Sequence, residues 1–284
     1  MRYLTIVILL LITVPTQAQS NPEVYLGDFE LTEDGFSVTN LENISNNPGY
    51  DNQPSFVPNM PALLFSSQRG ESTDIQLFDY EQNNSIWFTS SEGGKYSPTV
   101  MPDSDYFSSV WLKPNGEQLL WKFPLAEGQP EVIVPDEVIG YHSWFDEHTL
   151  YTFVLGDTFT FVEFDLEENS RTVIATNPGR SIHKVPERNE VSFIDKNDPT
   201  QWIVKTFNPE TRKIRTLTAT PEGSEDMFWI DASSFLIGQG NGLMMWKEGH
   251  GFIAPKPIFE KAGLISRIAL SQDRTKIAIV FAEE

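Results

Sequence analysis

Apolar positions in this chain come in short, closely spaced runs that alternate with polar residues or stay apolar for five or six positions. Residues 62–67, 107–112, 149–154, 190–194, 234–238 and 276–281 are such runs, each bounded by polar turn residues, and predict buried strands. A following strand is predicted at 74–79, 118–123, 160–165, 202–207 and 243–246, and another at 85–89, 131–134, 171–175, 213–217 and 251–254. Helical periodicity is almost absent.

The strands recur on a fixed period. Pro54-Ser55-Phe56-Val57-Pro58-Asn59 and Pro98-Thr99-Val100-Met101-Pro102-Asp103 are two copies of P-x-x-x-P-[ND], each ahead of a predicted strand. With Asn59, Asp103, Asp146, Glu187, Asp231 and Gln272 as equivalent turn positions, the spacings are 44, 43, 41, 44 and 41 residues. Four short strands at this period predict an all-β fold, a six-bladed β-propeller with four antiparallel strands per blade. Blades are expected to start near residues 46, 93, 138, 179, 223 and 263, within a single domain of residues 19–284. The sixth unit ends after its second strand. Residues 22–29 and 35–41 read as the missing outer strands, so 19–45 are expected to complete blade six and close the ring.

Residues 1–18 carry Met1-Arg2, an apolar run from Leu4 to Val14, and small residues at Thr16 and Ala18. This predicts a cleavable signal peptide, its apolar core too short to span a bilayer as a helix of about 20 residues. A periplasmic or secreted location is expected, with no stable membrane insertion. Absence of cysteine excludes disulfides, thiolate metal sites and a cysteine nucleophile. The net charge of −20 and lack of a basic cluster beyond Arg212-Lys213-Ile214-Arg215 argue against nucleic acid as a partner.

The first unit, Pro54-Ser55-Phe56 with Pro58-Asn59, the strand Leu63-Leu64-Phe65-Ser66-Ser67, Arg69-Gly70 and Asp74-Ile75-Gln76-Leu77, resembles the P-x-F-S-P-D-G … D-I-Y repeat of TolB-type propellers. The motif is partial in the second and last units and reduced to spacing in units three to five. The resemblance implies a cell-envelope propeller. The α/β domain that precedes the propeller in TolB has no counterpart expected here. The hydrolase domain beside related propellers of prolyl oligopeptidases is likewise not expected, and no G-x-S-x-G elbow is present.

Candidate chemistry is sparse. In the repeat frame His142 and His183 are equivalent, four residues before their turn positions, on innermost strands expected to line the channel. They could hold a divalent metal or act as a base, or they could hydrogen-bond backbone or water at a blade interface. Asp226 and Arg267 occupy matching positions of adjacent blades and suggest an ion pair across the interface; Glu225 with Asp226 is the alternative, a cation-binding pair. Asp103-Ser104-Asp105 and Asp195-Lys196-Asn197-Asp198 read as Asx turns rather than calcium loops, and Gly238–Gly242 as a hairpin rather than a phosphate cradle. The seven tryptophans fall in or beside predicted strands, as inter-blade core. Tyr50, Tyr96 and Tyr141 stand at the entry to innermost strands and form a candidate binding rim for protein or sugar.

The expected function is an exported, non-enzymatic binding or scaffold module, a monomer, with a protein partner in the envelope or a glycan, and no cofactor. Two alternatives stay open: a metal-assisted hydrolase or lyase at the channel mouth, and a small-molecule or glycan sensor.

Overall fold

A computed structural model describes residues 21–257 and 263–282. The predicted leader, residues 1–18, lies outside the described residues. Among the described residues there is no helix, and none therefore long and apolar enough to cross a membrane.

The strands follow the predicted period. Pro22–Thr32 (β1) and Gly35–Asn43 (β2) come first, then Asp51–Phe56 (β3), Ala62–Arg69 (β4), Ser72–Asp79 (β5) and Asn84–Trp87 (β6). Gly94–Val100 (β7), Tyr106–Leu112 (β8), Gln118–Pro124 (β9) and Glu131–Val134 (β10) form the next group. Ile139–Trp144 (β11), Thr149–Val154 (β12), Thr160–Asp165 (β13) and Ser170–Thr176 (β14) follow. Then come His183–Lys184 (β15), Val191–Asp195 (β16), Ile203–Asn208 (β17) and Lys213–Ala219 (β18). Met227–Asp231 (β19), Ser234–Gln239 (β20), Gly242–Lys247 (β21), Gly251–Pro257 (β22), Leu264–Leu270 (β23) and Lys276–Ala282 (β24) complete the chain.

These strands pair as a propeller. Three four-stranded antiparallel sheets are consecutive, β11 to β14, β15 to β18 and β19 to β22, while β3 to β10 form one eight-stranded sheet. In that sheet β5 meets β7 through a single parallel bridge, Thr73 to Gly94. Beside the bridge the Thr73 N–H donates to the Gly93 carbonyl at 3.1 Å; Gly93 has φ +85°, and a Cβ there would stand 2.3 Å from the carbonyl oxygen of Leu112 on β8. The remaining sheet, β2-β1-β24-β23, joins the two ends of the chain, with Val24 opposite Val280 and both fully buried.

Apolar clusters between successive sheets bind the ring. Leu64 and Ile75 pack with Phe107 and Phe123; Val110 and Leu120 with Leu150 and Val162; Phe161 stacks on Phe193 at 4.6 Å. Ile194 and Val204 meet Phe235 and Trp246, Leu236 and Leu243 meet Ile277 and Ile279, and Val24 and Val280 meet Leu63 and Phe65, which returns to the first sheet. Burying such side chains contributes about 1.5–3 kcal/mol each. One tryptophan departs from the expected core role. Trp87 on outer strand β6 is 38% exposed beneath the Arg69 guanidinium, whereas Trp202, just before β17, is half-buried under Lys196 and packs against the cluster of Ile194, Val204, Phe235 and Trp246. An outermost strand has no neighbouring sheet over its distal edge, so its large side chains find charged stems instead.

The turns are built as their residue types require. Asn59 and Asp103 adopt φ of 59° and 47°, the left-handed region that Asn and Asp tolerate, and Glu187 takes the same conformation at 60° without that residue-type preference. Asp146 and Asp231 instead accept backbone N–H bonds two residues on, from His148 at 3.0 Å and Ser233 at 2.7 Å. Gly240 at φ 58° makes the expected hairpin between β20 and β21.

Candidate functional site at the channel mouth

The strands β3, β7, β11, β15, β19 and β23 surround a cavity of about 500 Å³. Most of these strands break register where the repeat frame enters the channel: between Asn52 and Ser55, Tyr96 and Thr99, Ile139 and Tyr141, and Ile265 and Arg267. A bulge re-aims the side chains that follow it. In the first two strands the bulged residues, Gln53 and Ser97, have φ of 58° and 55°, and Gln53 Oε1 accepts the Ser97 N–H at 2.8 Å.

The fourth inner strand is the most irregular, reduced to His183-Lys184, and this irregularity builds the charged part of the site. Pro178 lacks an N–H to continue a ladder. Gly179 N–H bonds the Ile194 carbonyl at 2.7 Å, and a Cβ on Gly179 would lie 2.7 Å from Glu225 Oε2. The missing Cβ lets the Glu225 carboxylate accept the Arg180 N–H at 3.0 Å, while Lys196 Nζ holds its other oxygen at 3.2 Å.

Asp226 is buried between two arginines. Arg180 clamps it as a fork, Nε donating to Oδ1 at 2.9 Å and Nη2 to Oδ2. Arg267 Nη1 donates to Oδ1 at 2.6 Å and to the Ser266 carbonyl at 2.7 Å. The ion pair expected between Asp226 and Arg267 is present, and Glu225 turns toward Arg180 and Lys196 instead of pairing with Asp226 around a cation. Burial works against the Arg180 charge, and the hydrogen bonds and charge of Asp226, then Glu225, hold its pKa above the ordinary arginine value.

The three tyrosines gather around this group, half-buried rather than standing out as an exposed rim. The Arg267 guanidinium lies over the Tyr141 ring at 5.3 Å, and Tyr141 packs edge-on against Phe153 at 5.8 Å. Tyr50 and Tyr96 meet edge-to-face at 5.9 Å. Burial pushes the Tyr50 phenol above its ordinary range, and the nearby charges of Arg267 and Arg180 pull against that rise.

His142 and His183 both line the cavity. His142 Nε2 lies 2.6 Å from Ser108 Oγ on the neighbouring sheet, and its buried Nδ1 has no partner among the described residues. Burial pushes its pKa down to about 3. His183 packs edge-on against Phe228 at 5.1 Å, and burial lowers it to about 4 against the opposing hydrogen bond to the Met227 backbone. Both imidazoles are therefore neutral at pH 7. Among the described residues no group of three or more His, Asp or Glu side chains is gathered as a metal cage.

Arg180 is the site residue that the repeat frame missed. Its equivalents in other units are Asn52, Tyr96, Ile139, Ser224 and Ile265, which share no charge. Pro178-Gly179 before it was the local signal, since that pair marks a backbone forced close to a neighbour.

No protein-family model matches the chain, and no curated protein sequence is similar to it. Solved structures share its fold. A putative TolB from Agrobacterium tumefaciens superposes with a TM-score of 0.72 at 11% identity, covering 94% of this chain and 100% of that one. TolB from Acinetobacter baumannii gives 0.61 at 13% identity over 93% of this chain, which spans 65% of the TolB chain. An oligogalacturonate lyase in complex with manganese gives 0.52 at 14% identity, covering 94% and 98% of the two chains. The chain has a TolB-like propeller fold.

Proposed function

We propose that this protein is an exported, periplasmic, non-enzymatic propeller that binds a protein partner at the channel mouth formed by Tyr141, Arg180 and Arg267. Residues 1–18 serve as its signal peptide and 19–284 form one ring of six blades, the eight-stranded sheet counting as two blades joined by the Thr73–Gly94 bridge. Six inter-sheet apolar clusters and the terminal sheet β2-β1-β24-β23 support that count. The observation that carries the binding role is the stack of Arg267 on Tyr141 above a cavity of about 500 Å³, with Tyr50 and Tyr96 beside it. Arginine and tyrosine are the side chains that most often anchor protein interfaces.

A metal-assisted lyase is the second reading, supported by the fold shared with a manganese-bound oligogalacturonate lyase and by His142 and His183 in the cavity wall. One experiment separates the two. A photo-crosslinking amino acid placed at Tyr50 or Tyr96 in cells is expected to give a discrete protein adduct, while the same probe at Asp146 gives none. Purified protein incubated with oligogalacturonate and Mn²⁺ is expected to release no unsaturated product. Product formation abolished by His142→Ala and His183→Ala, without an adduct at the tyrosines, would reverse the assignment.

A further inference from the structure

The charge of the cavity wall is opposite to that of the molecule. The chain carries 20 Lys and Arg against 40 Asp and Glu, yet among the described residues the charged side chains that line the channel are Arg180, Lys184, Arg267, Arg274 and a single carboxylate, Asp226. With both histidines neutral, the wall holds an excess of positive charge inside a protein that repels anions at its surface. Such an arrangement rejects long polyanions and concentrates its attraction on a local negative group that enters the mouth.

The hydrogen-bond inventory locates that attraction. Arg180 uses its Nε and Nη2 edge on Asp226. Arg267 reaches the same carboxylate only through Nη1, so its own Nε and Nη2 edge has no partner among the described residues, although its side chain is 16% exposed. That edge is the same fork with which Arg180 holds Asp226, and a fork of this kind matches the two oxygens of a carboxylate. With Glu225 set against Arg180 and Lys196, three cations face two carboxylates, which leaves one formal positive charge uncompensated. The Arg267 guanidinium lies over the Tyr141 ring. Ile182, Met227 and Ile268 also line the channel, each buried with its side chain in a different inter-sheet cluster.

We infer that the channel mouth captures a carboxylate presented by an extended peptide, an Asp or Glu side chain or a C-terminus, with the free edge of Arg267 as its fork. The inference rests on the protein-binding role proposed above and names the chemistry that the partner must bring. The carboxylate stays ionised and forms two parallel N–H···O bonds with that edge.

The test is selection of peptides from a displayed library of random dodecapeptides against the purified, immobilised protein, followed by titration of the synthetic winners. Expected winners are enriched in Asp or Glu at one position, and replacing that residue by Asn or Gln weakens binding at least about tenfold, the value of one charge-assisted fork. Arg267→Gln is expected to cause the same loss for the acidic peptide and no loss for its amide counterpart. Should Arg267→Gln fail to fold, Arg267→Lys keeps the charge without the fork and is expected to lose most of the same affinity. Winners that need Tyr141 but show no acid preference and ignore Arg267→Gln would overturn the carboxylate assignment while leaving the protein-binding role standing. Failure to select any peptide sensitive to Tyr50→Ala, Tyr141→Ala or Arg267→Gln would overturn both. Displacement of the winners by trigalacturonate at a tenth of the concentration that a free acidic peptide requires would assign the carboxylate to a sugar acid and end the peptide assignment.

Discussion

The indole N–H of Trp144 donates to the buried hydroxyl of Ser108 on the neighbouring sheet at 2.8 Å. The same contact recurs further round the ring, where Trp229 donates to Ser192 at 2.8 Å. In both cases the tryptophan lies two residues before its turn position, the serine sits on the second strand of the preceding group, and the serine also reaches an inner-strand carbonyl, Thr99 or His183, at 3.2 Å. Neighbouring sheets are thus fastened by a directional bond inside an otherwise apolar interface, and at Ser108 the imidazole of His142 joins it.

Ser108→Ala would strand a buried indole N–H and leave His142 Nε2 without its partner. Leaving buried polar groups unsatisfied costs about 1–3 kcal/mol each, so a loss near 3 kcal/mol is expected. Urea unfolding checks it as a lower midpoint with an unchanged slope. Ser192→Ala, which strands only Trp229, is expected to cost less.

Asp226 keeps two guanidinium groups together, and Asp226→Ala leaves Arg267 without its anion beside an Arg180 that retains only Glu225. Removing one member of a buried ion cluster costs about 3–5 kcal/mol; exposure of 32% at the Arg180 side chain reduces the expected loss to about 2–3 kcal/mol. Because the residual term is repulsion between like charges, part of the loss should return in 1 M NaCl. Equal destabilisation at low and high salt would show that packing, not charge, is what Asp226 supplies.

Asp51, fully buried at the start of β3, has an Oδ1 with no partner among the described residues, and burial pushes its pKa up to about 6. A carboxyl whose folded pKa exceeds its unfolded value of about 3.9 binds more protons when folded, so it favours the fold at low pH and loses that contribution as pH rises from about 4 to 6. Asp51→Asn is therefore expected to raise the melting temperature at pH 7.5 and to change it little at pH 4. An equal shift at both values would refute the titration.

His142 works in the opposite sense. Its pKa falls from about 6.5 in the unfolded chain to about 3 in the fold, so the unfolded chain takes up a proton that the folded state refuses, and stability drops as pH falls below 6.5. His142→Gln should flatten stability against pH between 6 and 4 by about 1.4 kcal/mol per unit. Urea midpoints across that range measure the slope directly.

Most of the architecture was legible along the chain because strand, turn and burial are local properties here. The second strand of each unit was visible as an apolar run, and Asn59, Asp103 and Asp146 marked turns through the conformations and side-chain bonds their residue types favour. Less legible was the merging of β5 with β7, which rests on the single bridge of Thr73 to Gly94 and the Thr73 N–H bond to the Gly93 carbonyl.

The site divides in the same way. The repeat frame alone placed His142 and His183 in the channel wall and paired Asp226 with Arg267, since residues at matching depth in a ring of repeats meet whatever their separation in sequence. Arg180 was out of its reach, because the fourth inner strand leaves the repeat geometry between Pro178 and His183 and its conformation is set by Ile194 and Glu225 across space. Periodicity and turn chemistry come from near neighbours and determined the fold. Which arginine edge stays free, and what charge the cavity presents, came from groups far apart in sequence, such as Arg180 and the Ser266 carbonyl 86 residues on, which only the tertiary structure brings together.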